Sequence, residues 1–304
     1  MRKPLAIAIG ALALSALLLP AFAADGYVLS VGVTIFIYAM LAVSLDLVLG
    51  WAGQFSFAHA AFFGIGAYTA AIAQRDFGAG FWSGLPAGIA VAAVCGLLLG
   101  LPALRLRGHF LSIVTIAFQT IVYLGLTQWT SLTGGQNGIS IQPIAGFETM
   151  ARFYCLALVV SLAAVLVSWL LTHSRLGQTW QALRDDETLA RAIGLDTTAA
   201  KLGAFVIAAA IAGAAGVLAA FHIRGVTPND YTIMTSALIV AMVVVGGRGT
   251  LWGPLLGAVV LTVLPEWLSF AANYRLIIFG LLMIVMVIAL PQGVVGAWMS
   301  RKRR

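Results

Sequence analysis

Long apolar blocks alternate with short polar or glycine-rich breaks along the whole chain. Ten can be marked off: residues 5–23, 27–49, 57–73, 81–104, 110–129, 153–172, 202–221, 233–245, 251–270 and 276–290. Most are about 15 to 24 residues long, which suits helices that satisfy their own backbone hydrogen bonds in lipid. Strands of an outer-membrane barrel would instead give segments of about ten residues with alternating polarity. The pattern predicts an all-α polytopic membrane protein, one domain over residues 1–304, with about ten transmembrane or re-entrant helices. Two stretches, 50–66 and 233–257, are too short or too often broken by glycine to be plain spans, so discontinuous helices are expected there. Irregular backbone at membrane depth is tolerated only where protein or a water-filled cavity covers it, and paired broken segments therefore point to a transport pathway. The two stretches also align Gly50 with Gly246 and Gly53 with Gly249, a thin sign of an internal repeat.

Composition agrees with this reading. The chain is 62% hydrophobic and 9% charged, far from the roughly one-quarter charged residues of soluble domains. Its net charge of +7 does not point to nucleic acid, because the basic residues are scattered at segment ends and form no stripe with stacking aromatics. Cys95 and Cys155 each lie inside an apolar run, where a free thiol behaves as a small hydrophobe, and suggest neither a disulfide framework nor a metal site. The first block begins with Arg2 and Lys3 and ends in Ala21-Phe22-Ala23, a pattern shared by a cleavable signal and a retained span. Charge bookkeeping favours retention. With the amino terminus inside, Arg105, Arg107, the 173–201 loop, Arg248 and the tail Arg301-Lys302-Arg303-Arg304 all fall inside, and the 130–150 loop, which has no Lys or Arg, falls outside.

Polar residues are so few that their clustering is informative. Asp46, Gln54, Ser56 and His59 fall within fourteen residues, as intramembrane polar groups do along a substrate path. Gly50 and Gly53 permit a sharp turn there, and Gly64 and Gly66 permit close helix packing. The plainer reading makes the glycines packing devices and His59 a satisfied interior histidine. A second set, Thr115, Gln119 and Thr120, either lines a pathway or bonds helix to helix. Gln136 and Asn137 lie in the outer 134–138 turn. Glu266 with Arg275, and Arg224 with Asp230, are expected to pair as loop stabilisers.

The longest hydrophilic interruption, residues 173–201, holds eight of the chain's 27 charged residues. Asp185 or Asp186 is a plausible N-cap and Gly194 a C-terminal stop, which outlines a helix of about two turns. Glu187 and Arg191 are spaced to pair at i,i+4, and Asp196 with Thr197 caps the next helix. Leu189, Ala190 and Ile193 share a face, suited either to a groove in a soluble partner or to the membrane interface.

Several blocks resemble one known family. Residues 45–68, L-D-L-V-L-G-W-A-G-Q-F-S-F-A-H-A-A-F-F-G-I-G-A-Y, resemble the signature of the membrane subunits of branched-chain amino acid ABC importers, specifically the LivM type. The likeness continues through L-R-L-R-G-H-F-L-S-I-V-T-I-A-F, T-G-G-Q-N-G-I, R-L-G-Q-T-W-Q-A-L-R-D-D-E-T-L-A-R-A-I-G-L-D, K-L-G-A-F-V-I-A-A-A-I-A-G-A-A-G and G-G-R-G-T-L-W-G-P-L-L-G-A. Related urea and amide permeases share most of these blocks. The resemblance implies an inner-membrane permease that is half of a pathway, partnered by a second permease, two cytoplasmic ATP-binding subunits and a periplasmic amino-acid-binding protein. It implies that Asp185, Asp186, Leu189, Ala190, Ile193 and Gly194 belong to a cytoplasmic coupling helix. The chain itself has no phosphate-binding loop, since Lys3, Lys201 and Lys302 do not follow the required glycines. No catalytic constellation or cofactor site is legible, and His59, His109, His173 and His222 lack metal-ligand spacing. A secondary transporter, the rival class, would need buried acids to couple ions, and Asp46 is the sole acidic candidate within a span.

Overall fold

The computed structural model describes residues 26–103 and 109–267, together with Gly280 and Gly293. The expected first and last segments, Arg105, Arg107, Arg275 and the basic tail lie outside the described residues. Helix α1 (Gly26–Asp46) runs into a π-helical turn, Leu47–Trp51. It is followed by α2 (His59–Phe77), α3 (Phe81–Ala103), α4 (His109–Gln128), the one-turn α5 (Thr130–Thr133) and α6 (Met150–Thr172). Then come α7 (Arg175–Asp185), α8 (Glu187–Ala192), α9 (Thr197–Ile223), α10 (Ile233–Gly246) and α11 (Trp252–Trp267). The fold is all-α, with one small antiparallel pair, β1 (Ile139–Ser140) against β2 (Gly225–Val226), in which Ile139 faces Val226. Among the described residues five helical segments are long and apolar enough to cross a membrane: Gly26–Trp51, Phe81–Pro102, Phe110–Gln128, Met150–Thr172 and Thr197–Ile223.

The eight expected segments within the described residues are all helical, and the differences at their ends have local causes. Helix α9 begins five residues before the apolar block because the Ala199 N–H donates to Asp196 Oδ1 at 3.0 Å, an N-cap that extends the helix into polar sequence. The hydrophilic interruption holds two helices where one was expected. Ser174 Oγ accepts from the Leu176 N–H at 3.2 Å and starts α7, and Trp180, fully buried, donates its indole N–H to the Ala200 carbonyl at 2.8 Å. The α7–α8 hairpin is thereby pinned to α9.

Helix α9 is the most enclosed element and packs on α2 and α3 through small residues. A Cβ on Gly66 would lie 2.2 Å from the Gly213 carbonyl oxygen, and one on Gly216 would lie 2.0 Å from that of Phe63. The closeness that Gly64 and Gly66 suggested in the sequence is thus present: the Gly66 position meets α9, and the Gly64 position meets the Tyr231 ring. Helix α4 faces outward instead, with Phe110, Ile113, Ile121 and Leu124 exposed.

The bundle has two distinct ends. At one, the β pair packs on α2 and α9, the Ile141 N–H donates to the Arg224 carbonyl, and Gln74 at the end of α2 bonds both backbone groups of Gln142. At the other lies the α7–α8 hairpin. Asp230 takes its hydrogen bond from the Thr227 hydroxyl at 2.7 Å. No Arg224–Asp230 ion pair occurs among the described residues; Arg224 terminates α9 in the left-handed conformation, φ 61°. Glu266 receives the Tyr27 hydroxyl.

Candidate functional site: two broken helices and a hairpin

Helix α1 reaches the hairpin end, unwinds through its π turn and gives way to residues 52–58, which run back into the bundle before α2 starts. Gly53 makes the turn at φ 69°, and the Gln54 N–H closes it on the Val48 carbonyl at 2.8 Å. The non-helical backbone that follows is satisfied by side chains from two other helices. Ser112 on α4 donates to the Phe55 carbonyl at 3.2 Å, and Thr115, one turn on, accepts from the Phe57 N–H at 3.1 Å. Ser236 on α10 donates to the Phe57 carbonyl at 2.6 Å and accepts from the Ala60 N–H at 3.0 Å. Ser56 accepts from the Ala58 N–H at 3.2 Å. The Ala58 and Ala60 N–H groups at the start of the helix are thus covered inside the protein.

Helix α10 begins in the opposite sense. The chain leaves α9 at the strand end, passes through the 3₁₀ turn Pro228–Tyr231 and starts α10 at Ile233. Gln119 on α4 donates its amide N–H to the Tyr231 carbonyl at 2.7 Å, and its Oε1 lies 3.4 Å from Ser236 Oγ. Two helices preceded by non-helical backbone therefore approach from opposite ends, and their first turns meet at the buried Ser236. Ser56, His59, Thr115, Gln119 and Ser236 are all essentially inaccessible in the isolated chain. Thr115 and Gln119 act there as backbone staples, the helix-bonding alternative of the sequence reading. His59 opens α2 with Phe62 edge-on to its ring. Thr120 is exposed and bonds within its own helix.

Asp46 and Gln54 lie apart from that centre. Asp46 Oδ1 accepts from the Gly249 N–H at 2.8 Å, joining the end of α1 to the turn between α10 and α11. Gly50 packs into the same junction: a Cβ there would sit 2.0 Å from Asp46 Oδ1 and 2.3 Å from the Gly249 nitrogen. Gly246 is equally closed, with its Cβ position 1.8 Å from the Gly253 carbonyl oxygen. Gln54 borders a cavity of about 690 Å³ between residues 52–55, the start of α4 and the hairpin, with Arg184, Glu187 and Lys201 on its wall. Gln54 is 5% exposed, and neither end of its carboxamide has a hydrogen-bond partner among the described residues.

In the hairpin, Asp186 is the N-cap of α8, accepting from the Thr188 and Leu189 N–H groups at 2.8 and 3.0 Å. Asp185 is not the cap; it ends α7 and lies 3.3 Å from Arg184. Gly194, φ 85°, stops the helix, and Glu187 bridges Arg191 at 2.8 Å and Lys201 at 2.7 Å. Leu189 and Ile193 are 61% and 68% exposed, but Ala190 is buried at 2%. The expected three-residue knob is therefore reduced to two, because Ala190 turns inward.

The family profile described as the permease component of branched-chain amino acid transport systems matches residues 27–287. The chain belongs to that family. This permease-family chain is 38% identical over 285 residues to the high-affinity branched-chain amino acid transport system permease protein LivM of Salmonella typhimurium, covering 84% of this chain and 67% of the relative. It is 37% identical to the Escherichia coli protein of the same name over the same shares. Its identity to the LivH permease protein of Escherichia coli is 25% over 284 residues, 85% of this chain and 91% of the relative. No solved structure matches. Three residues of this permease escaped the sequence reading: Arg184, Ser236 and Trp180. Ser236 could have been noticed as a hydroxyl near the start of a broken apolar block, where orphan N–H groups need acceptors. Nothing in the charge pattern shows that Arg184 points into the bundle.

Proposed function

We propose that the chain is one half of the translocation pathway of an ATP-driven importer of branched-chain amino acids in the bacterial inner membrane. A second, homologous permease supplies the other half, two cytoplasmic ATP-binding subunits supply the energy, and a periplasmic amino-acid-binding protein supplies the cargo. The observation that carries this reading is the meeting of two discontinuous helices at Ser236, the arrangement expected where backbone lines a transport path. The LivM and LivH relatives, both named as permease proteins of a branched-chain amino acid transport system, support the cargo class and the pairing with a homologous subunit. On this reading the chain is a single permease domain of about ten helices whose 173–201 loop is cytoplasmic, and it catalyses no reaction itself. Gln54, Ser56, His59, Thr115 and Gln119 border or brace the path, and Gln54 is one residue with hydrogen-bonding capacity to offer a passing zwitterion. Asp46 braces it from the hairpin end. Its carboxylate already holds the Gly249 N–H, which counts against its use as the ion-coupling acid of a secondary transporter.

The test is reconstitution of the full complex, with ATPase stimulation measured for the binding protein loaded with leucine, isoleucine, valine, urea or short amides. Stimulation by the branched-chain amino acids supports the reading, and stimulation by urea or amides alone moves the chain to the related permeases. Uptake driven by an ion gradient with no ATPase present overturns it. For the docking face, Leu189→Asp is expected to leave the permease folded, since the side chain is exposed, while abolishing most ATP-coupled uptake. Normal co-purification with the ATPases and normal uptake in that variant would remove the hairpin from the coupling role.

A further inference from the structure

Arg184 is the last basic residue of α7, yet its guanidinium leaves the hairpin. Its Nη1 donates to the Gly50 carbonyl at 2.8 Å, across 134 residues of sequence. Its stem lies on Gly53, where an added Cβ would come 2.9 Å from Arg184 Cγ, and its Nη1 would lie 2.9 Å from a Cβ on Gly249. Gly50 and Gly249 are themselves joined through Asp46. One side chain thus touches both glycine turns, one ahead of α2 and the other after α10, and a charge-assisted bond to a buried carbonyl is stronger than an ordinary hydrogen bond. The remaining nitrogens face Asp185 at 3.3 Å, so the fork is fixed from the hairpin side as well. The cavity bordered by Gln54 has residues 52–55 and the hairpin on one side and Leu111 and Ser112 of α4 on the other, so its width changes when the joined parts move relative to α4.

We propose that Arg184 is the positioning residue that carries displacement of the α7–α8 hairpin into residues 50–55, and so sets the width of the cavity beside Gln54. Side chains at 53 and 249 would run into the arginine, and one at 50 would run into Asp46 and the Gly249 nitrogen. When the hairpin shifts, the Gly50 carbonyl follows, and the non-helical segment ahead of α2 moves with it rather than with α1. This rests on the importer reading above and adds the path by which motion would travel.

The experiment uses the full complex in proteoliposomes, with Arg184→Met, which keeps the stem on Gly53 and removes the bond, and Arg184→Lys, which keeps charge but loses the fork. Uptake per ATP hydrolysed is expected to fall about tenfold in the methionine variant, the scale of one lost charged hydrogen bond, with the lysine variant intermediate. Spin labels on Leu176→Cys of α7 and Phe55→Cys of the segment should hold one separation in all nucleotide states with Arg184 present. In Arg184→Met the separation should vary with nucleotide. Wild-type coupling and an unchanged label separation in Arg184→Met would overturn the proposal. Loss of assembly in both variants would do the same, by assigning Arg184 to folding. Failure of the wild-type complex to couple uptake to ATP would instead strike the importer reading.

Discussion

The two non-helical approaches to the bundle centre look equivalent in outline and differ in how they are held. Residues 52–58 borrow every side-chain partner but one from elsewhere, Ser112 and Thr115 from α4 and Ser236 from α10, and Arg184 from the hairpin holds the Gly50 carbonyl just ahead of them. Residues 227–232 hold themselves in part, with Pro228 opening a 3₁₀ turn and Thr227 bonding Asp230, and take further braces from Gln119 and Tyr123 on α4 and Thr235 on α10. The first approach adjoins a cavity and an unpartnered carboxamide among the described residues. The second buries the Tyr231 ring over Gly64. A segment held by distant elements is expected to follow them when they move. The hairpin-end approach alone is tied to the hairpin, whereas the strand-end approach is tied to α4 and to its own turn.

The comparison can be broken by substitution. Gly50→Ala carries the largest expected effect, since its Cβ would fall 2.0 Å from Asp46 Oδ1 and 2.3 Å from the Gly249 nitrogen, neither able to give way cheaply. About 3 kcal/mol of destabilisation is expected, read as loss of thermal stability in detergent, and near-wild-type stability would mean the junction is looser than drawn. Ser236→Ala comes next, removing one donor and one acceptor from the meeting point of both approaches, at roughly 2 kcal/mol or more for two buried groups left unsatisfied. A thermal midpoint equal to that of the parent would show that water reaches the site. Thr227→Val should be smallest, under about 0.5 kcal/mol because the lost bond is exposed. A larger loss there would make the strand-end turn as dependent on single contacts as its counterpart.

Legibility in the sequence follows the range of the interactions. The helical blocks were readable because membrane thickness fixes their length, and the break at Gly50 and Gly53 was readable because glycine marks positive φ and close approach. Caps were readable where donor and acceptor are neighbours, as at Asp186 and Asp196. Long-range partners were not: Thr115 and Gln119 stood out as polar residues in an apolar block, but their targets, Phe57 and Tyr231, come from chain folded back over them. Helix α7 was missed because its apolar contribution is concentrated in Trp180 and Leu183, too few residues to make a block. Ala190 was placed outside because periodicity gives the angle between side chains and not which side meets α9.

The backbone-close packing of α2, α3 and α9 has a consequence for the surroundings the protein can tolerate. Inside lipid, apolar side chains gain nothing by leaving one apolar medium for another, so helices there are held by dispersion between closely spaced atoms. Glycine at 66, 88, 213 and 216 brings carbonyls and α-carbons within that range. Attraction of this kind does not draw on water, and the three-helix core should therefore persist in a detergent micelle as it does in a bilayer. The α7–α8 hairpin, whose Trp180 and Leu183 are buried out of water, answers to the solvent instead. The molecule thus contains two cohesion regimes, and denaturants that act through water should loosen the hairpin first.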